Sequence, residues 1–198
     1  MIFLVFPAIA YTQATGTDEY NPKKEVTFDG KRYRVYNNYL TIGAGQAHSS
    51  YAGTQFVGAL DFNFHLQKYY FQTGGMLSGD HFGLYNNVQA HLCLGKRFEQ
   101  NRYNIAGYLG VSYSSTNRSY EDSVIHAVYI KKPGFYACVQ TTYKYKYDLG
   151  IGLAFFADFN DAQSIYGLRL ELFFSGAYRR AVKGKEQNLN QKPETYSE

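Results

Sequence analysis

One stretch, residues 56–67 (FVGALDFNFHLQ), constrains the fold more than any other part of the chain. Phe56, Gly58, Leu60, Phe62, Phe64 and Leu66 share one face of a period-two strand, and Val57, Ala59, Asp61, Asn63, His65 and Gln67 share the other. In water, such a strand buries its apolar face and leaves its ionisable face wet. The same alternation recurs about eight times with almost no helical period between. A closed barrel with lipid outside and a polar interior accounts for that repetition better than a soluble sheet.

The composition agrees with this reading. A chain of 198 residues is one domain with short appendages. Its 21 Tyr, 15 Phe, 19 Gly and only 4 Pro suit crowded or bent strands. A mean hydropathy of −0.40 excludes a helical membrane protein but not a barrel, in which only alternate residues meet lipid. The net charge of +4 is too mild and too dispersed for a nucleic-acid partner, and none is expected. Cys93 and Cys138 both point inward by parity, on strands that are not neighbours. Second-neighbour strands lie roughly 9–10 Å apart, beyond disulfide reach, so both are expected as free buried thiols.

Residues 1–14 (MIFLVFPAIAYTQA) read as the apolar region of a secretory signal, cut near Ala14 and lacking a basic leader. Residues 15–35 read as a periplasmic linker and a small hairpin, with strands over 25–28 and 31–35 and a type I′ turn at Asp29-Gly30. The barrel is expected over residues 36–178, with strands at 36–46, 54–67, 69–77, 86–98, 103–114, 135–146, 149–159 and 165–178. Short turns near 68, 99–102 and 147–148 alternate with longer connections at 47–53, 78–85, 115–134 and 160–164. This places both termini in the periplasm. Tyr and Phe gather near both strand ends, where a bilayer interface favours amphipathic rings. Residues 179–198 form a polar tail opening with Arg179, Arg180, Lys183 and Lys185, expected in the periplasm beside anionic headgroups.

The candidate functional residues lie in the lumen and in the longest loop. Asp61, His65, His91, Lys144, Lys146, Arg169 and Glu171 point inward by parity. They are expected to form a plug of paired charges inside a barrel just wide enough for side chains to fill. Inward Gly43, Gly45, Gly150 and Gly152 leave room for Arg169 and Glu171. A narrow ion path is the alternative use of the same residues. No metal is expected, because His65 and His91 lack a spaced third ligand, and no cofactor is expected either. His48-Ser49-Ser50 is the one rim cluster that imitates a catalytic trio, with Glu121 or Asp122 as a distant acid. A lipid-modifying enzyme is therefore the second alternative, and the main expectation is a protein without enzymatic activity. Within 115–134, Val124, Ile125, Val128, Tyr129 and Ile130 are unusually apolar for a solvated loop. They are candidate partner contacts, on a hairpin that protrudes or docks against a neighbour.

Eight strands, short turns, longer loops and an exported start resemble the eight-stranded outer-membrane barrels of the outer-membrane protein A and X type. The Tyr-rich, Trp-free composition looks most like the outer-membrane β-barrel domain proteins of Bacteroidota. The resemblance covers roughly residues 36–178. Within it, 165–172 (IYGLRLEL) is similar to a barrel-assembly signal, although the chain continues beyond it. The resemblance implies an all-β, antiparallel up-and-down transmembrane barrel in the outer membrane of a Gram-negative bacterium, in contact with lipopolysaccharide and phospholipid. The role expected of this chain is structural or interactive: a non-conducting scaffold whose extracellular loops contact another envelope component, as an accessory subunit of a larger envelope complex. A lipocalin-like soluble barrel would reverse the two faces. The long apolar outer sides of 149–159 and 165–178 speak against it.

Overall fold

The computed structural model describes residues 21, 24–80, 85–100, 102–119 and 127–175. The proposed signal and tail, and the candidates Val124 and Ile125, lie outside the described residues. A short hairpin, β1 (Glu25–Phe28) and β2 (Lys31–Arg34), precedes eight long strands. These are β3 (Tyr39–Ser49), β4 (Gly53–Leu66), β5 (Tyr69–Gly79), β6 (Tyr85–Gln100), β7 (Tyr103–Ser119), β8 (Ala127–Lys146), β9 (Leu149–Asn160) and β10 (Ser164–Ser175). Each pairs antiparallel with its chain neighbour, and β10 returns to β3 from Ile165↔Ser49 to Ser175↔Tyr39, closing the barrel.

The two faces fall as the alternation requires. Phe56, Leu77, Val88, Leu109, Phe155 and Leu170 stand outward, each more than half exposed, while Val57, Asp61, Tyr70, Gln89, Tyr108, Tyr136 and Arg169 are buried inside. In water that outer surface would be an untenable apolar patch; in hydrocarbon it is the solvated face. Closure leaves no unpaired strand edge through most of the wall. Cys93 and Cys138 are free and buried.

Strand bounds depart from the sequence reading mainly at one end. Leu66 pairs with Tyr69, Gln100 with Tyr103 and Lys146 with Leu149 across tight turns, as expected. At the opposite end the strands run on, so the connections shrink to 50–52, 80–84, 120–126 and 161–163. The largest change is β8, which begins at Ala127 where a strand from 135 was expected. Pro133-Gly134 reads as a terminator, because proline cannot donate to a ladder. Here Pro133 faces Tyr113 of β7, and pairing with β9 begins only at Gly134. The proline therefore sits where β8 is an edge strand. Most of what was read as a long loop is thus a protruding β7–β8 hairpin.

The β1–β2 hairpin forms as read. Asp29 (φ 47°) and Gly30 (φ 76°) both take the left-handed conformation that a type I′ turn needs. Its apolar face is laid across the short-turn mouth of the barrel. Tyr147, from the β8–β9 turn, stacks on Tyr33 at 4.2 Å and meets Phe28 edge-on at 6.0 Å. The Tyr147 hydroxyl donates to the Arg34 carbonyl at 2.8 Å. Burial pushes its ionisation well above the ordinary phenol range, so it remains a donor. Arg102, in the β6–β7 turn, reaches Asp29 at 3.0 Å and covers the Phe28 ring at 5.0 Å.

Candidate functional site: a lumen closed by side chains and an open strand edge

Midway through the barrel, Arg169 donates from one nitrogen, Nη2, to Asp61 Oδ2 at 2.9 Å, and the same nitrogen lies 3.0 Å from Glu171 Oε1. On the other side of Asp61, His91 Nε2 lies 3.0 Å from Oδ1. The His91 ring is stacked on Tyr136 at 4.2 Å, and the guanidinium of Arg169 sits over Phe156 at 5.0 Å. Asp61 and His91 belong to second-neighbour strands. They meet because the residue between them in the register, Asp61↔Gly74↔His91, has no side chain. A Cβ on Gly74 would overlap Asp61 Oδ1 and lie 2.8 Å from His91 Nε2. Gly74→Ala should therefore lower stability by about 1–3 kcal/mol through overpacking. The check is the urea midpoint of the heat-modifiable gel band. Gly43 has a related role beside Glu171, where an added Cβ would come within 2.9 Å of Cγ. Gly150 and Gly152, expected to serve Arg169 and Glu171, instead accommodate Thr142 of β8.

A second cluster closes the short-turn half. Glu99 Oε1 accepts from Lys144 Nζ at 2.6 Å, and its Oε2 accepts from Arg97 Nη2 at 2.6 Å. Arg97 also donates to Asn37 Oδ1 and to the Val35 carbonyl, and lies over Tyr39 and Tyr70 at 5.0 and 4.7 Å. This cluster ties the lumen to the segment that carries the hairpin. Lys144 was expected inside, and it is buried there. Lys146 was expected beside it and is not. A β-bulge between Lys144 and Lys146 shifts the register, so Lys146 pairs with Leu149 and is exposed. His65 also falls outside the plug. It is half-buried next to the 67–68 turn, between Tyr36 at 4.9 Å and Tyr70 at 5.6 Å. Sequence reasoning overlooked Arg97 and Glu99, although both share the inward parity of Gln89, His91 and Cys93.

The loop end is closed by uncharged groups around one carboxylate. Asp158, fully buried, accepts hydrogen bonds from the hydroxyls of Ser112 and Ser114. Above it the Asn160 side chain accepts from the amides of Ala162 and Gln163, fixing the 161–163 turn. That turn folds Gln163 over the mouth. Gln163 Nε2 donates to Thr116 on β7 at 2.9 Å, and Oε1 accepts from Ser49 on β3 at 3.1 Å. One amide thereby bridges opposite walls.

The rim trio does not assemble. His48 points outward and packs near Tyr166 at 5.5 Å, whereas Ser49 is buried and bonded to Gln163. Ser50 accepts from the Ser164 amide at 3.0 Å. Glu121 and Asp122 lie outside the described residues. The remaining partner-contact candidates, Val128, Tyr129 and Ile130, are on β8 opposite Arg118, Asn117 and Thr116 of β7. Pairing with β9 stops at Gly134↔Asn160, so residues 127–133 have no strand on that side among the described residues. They form an unpaired edge above the barrel.

The fold is that of the eight-stranded outer-membrane barrels. The neisserial surface protein A matches it with a TM-score of 0.59 and 9% identity, over 69% of this chain and 96% of that one. Ail, the attachment invasion locus protein of Yersinia pestis, matches with a TM-score of 0.52 and 10% identity, over 71% and 99%. The N-terminal barrel domain of Pseudomonas aeruginosa OprF matches with a TM-score of 0.54 and 10% identity, over 70% and 98%. No protein-family model and no curated protein sequence matches the chain.

Proposed function

We propose that this chain spans the outer membrane of a Gram-negative bacterium as a non-conducting, non-enzymatic scaffold with its short turns and both termini in the periplasm. Its protruding β7–β8 hairpin contacts another envelope component, as an accessory subunit of a larger assembly. The observation that carries this reading is the edge of β8 over residues 127–133, which has no partner strand among the described residues and is raised above the barrel by continued pairing with β7. An exposed edge offers unpaired amides and carbonyls to a partner strand. The filled lumen supports the scaffold role, since buried ion pairs occupy the space a solute would need. Two of the fold neighbours are named as a surface protein and as an attachment invasion locus protein, which agrees with an outward contact role.

The test is the mass of the particle extracted from native membranes in mild detergent. The expected result is a defined second protein, lost when residues 117–130 are replaced by a two-residue turn. A lone chain in its detergent shell, unchanged by that replacement, would overturn the assembly role. In planar bilayers the purified chain should show no stable conductance, and steady single-channel steps would overturn the sealed lumen.

A further inference from the structure

The outer wall carries a furrow whose short-turn end meets two exposed lysines. Its floor is Gly107 of β7 and Ala137 of β8, where the small residues leave a gap of about 440 Å³ between Leu94, Lys96, Leu109 and Val139. Lys96 and Val139 flank Gly107 in the register, and Leu94, Leu109 and Ala137 continue the furrow away from the short turns. At its other end stands Tyr69, with Lys96 Nζ 5.4 Å and Lys68 Nζ 5.5 Å from its ring. Lys68 lies in the 67–68 turn, so this end is where the apolar wall stops. Both lysines are exposed, and neither forms an ion pair among the described residues. By contrast Arg102, on the same rim, is already committed to Asp29. A comparable furrow of about 490 Å³ on another part of the wall, around Gly58, Leu60, Phe62 and Leu77, has no cation in its lining.

Two like charges held at one ring, with no ion-pair partner among the described residues and directly below an apolar trough, match a ligand with a phosphate at one end and a hydrocarbon chain at the other. We propose that this furrow binds an anionic phospholipid of the membrane leaflet at the short-turn end. Its phosphate lies between Lys68 and Lys96 beside Tyr69, and one acyl chain lies over Gly107 and Ala137. The inference rests on the membrane-spanning reading. Tyrosine at the headgroup level and lysine beside an anionic surface are the expected physical partners of such a lipid.

The experiment is native mass spectrometry of the purified chain in mild detergent, titrated separately with phosphatidylglycerol, phosphatidylcholine and lipid A. Phosphatidylglycerol should bind preferentially, and Lys68→Gln with Lys96→Gln should weaken it by about thirtyfold, the order expected for two cations at an anionic surface. Gly107→Leu should also weaken binding by filling the floor. A Cβ added at Gly107 meets nothing within 4 Å, and retention of the heat-modifiable band checks that the variant folds. Gly58→Leu, equally unhindered, fills the uncharged furrow and should leave binding unchanged. Equal binding of phosphatidylglycerol and phosphatidylcholine, or indifference to both sets of variants, would overturn the site. Preference for lipid A would overturn its assignment to phospholipid. Insertion into vesicles and a heat-modifiable band are scored first on the same sample. Their failure would sink the membrane-spanning reading itself, whereas success without lipid selectivity sinks only the site.

Discussion

Arg169→Met should destabilise the barrel by about 3–5 kcal/mol, the cost of breaking a buried ion pair by removing one partner. Arg169 is fully buried and, among the described residues, is the one cation in contact with both Asp61 and Glu171. Without it two carboxylates remain in a buried interior, with the His91 ring against Asp61. Arg169→Lys should recover only part of the loss, because a single ammonium on a shorter reach lacks the planar fork of the guanidinium. Combining Arg169→Met with Asp61→Asn and Glu171→Gln should recover most of it, since the charges that needed compensation are gone. The measurement is the urea midpoint of the folded, fast-migrating band in lipid vesicles. A midpoint shared by wild type and Arg169→Met would mean that water reaches the cluster, and the sealed-lumen description would fail with it.

The period-two pattern was enough to assign nearly every side chain to lipid or lumen, because lipid outside and a crowded lumen inside tolerate few exceptions. Asp61, His91, Lys144, Arg169 and Glu171 were all legible as inward charges for that reason. Their partners were not. That Asp61 meets His91 depends on Gly74 standing between them, and register is a property of the assembled sheet and its turns. Lys146 was misplaced because a bulge breaks the parity on which the reading relied. Glu99 looked like part of a turn, and only the continuation of β6 to Gln100 carries it into the lumen. The β1–β2 hairpin was readable from Asp29-Gly30, but its seat on Tyr147 and Arg102 was not. Those residues lie about seventy to over one hundred positions away, and no local periodicity connects them. The extended β8 was obscured by Pro133-Gly134, a strong turn signal whose meaning changes once one side of the strand is known to be unpaired.

Glu99→Gln should produce a loss of similar size, about 3–5 kcal/mol, by a different route. Glu99 is a single carboxylate between two buried cations, each 2.6 Å away. Arg97 has further support from Asn37, the Val35 carbonyl and the rings of Tyr39 and Tyr70. Among the described residues Lys144 has, besides Glu99, the face of Tyr147 at 4.2 Å. Neutralising Glu99 therefore strands Lys144 more than Arg97, and leaves the two cations repelling one another in a medium that screens them poorly. Glu99→Gln with Lys144→Met should then regain most of the stability, because it removes the cation that lost its counter-charge. The same substitution should be felt at the hairpin, since Arg97 and Tyr147 link the cluster to Val35, Asn37 and Arg34. Limited proteolysis of the vesicle-inserted barrel should cut at residues 29–32 faster in Glu99→Gln than in wild type, and at the wild-type rate in the double variant. If the double variant is no more stable than the single one, the loss lies in the Glu99–Arg97 contact, and Lys144 is not the stranded charge.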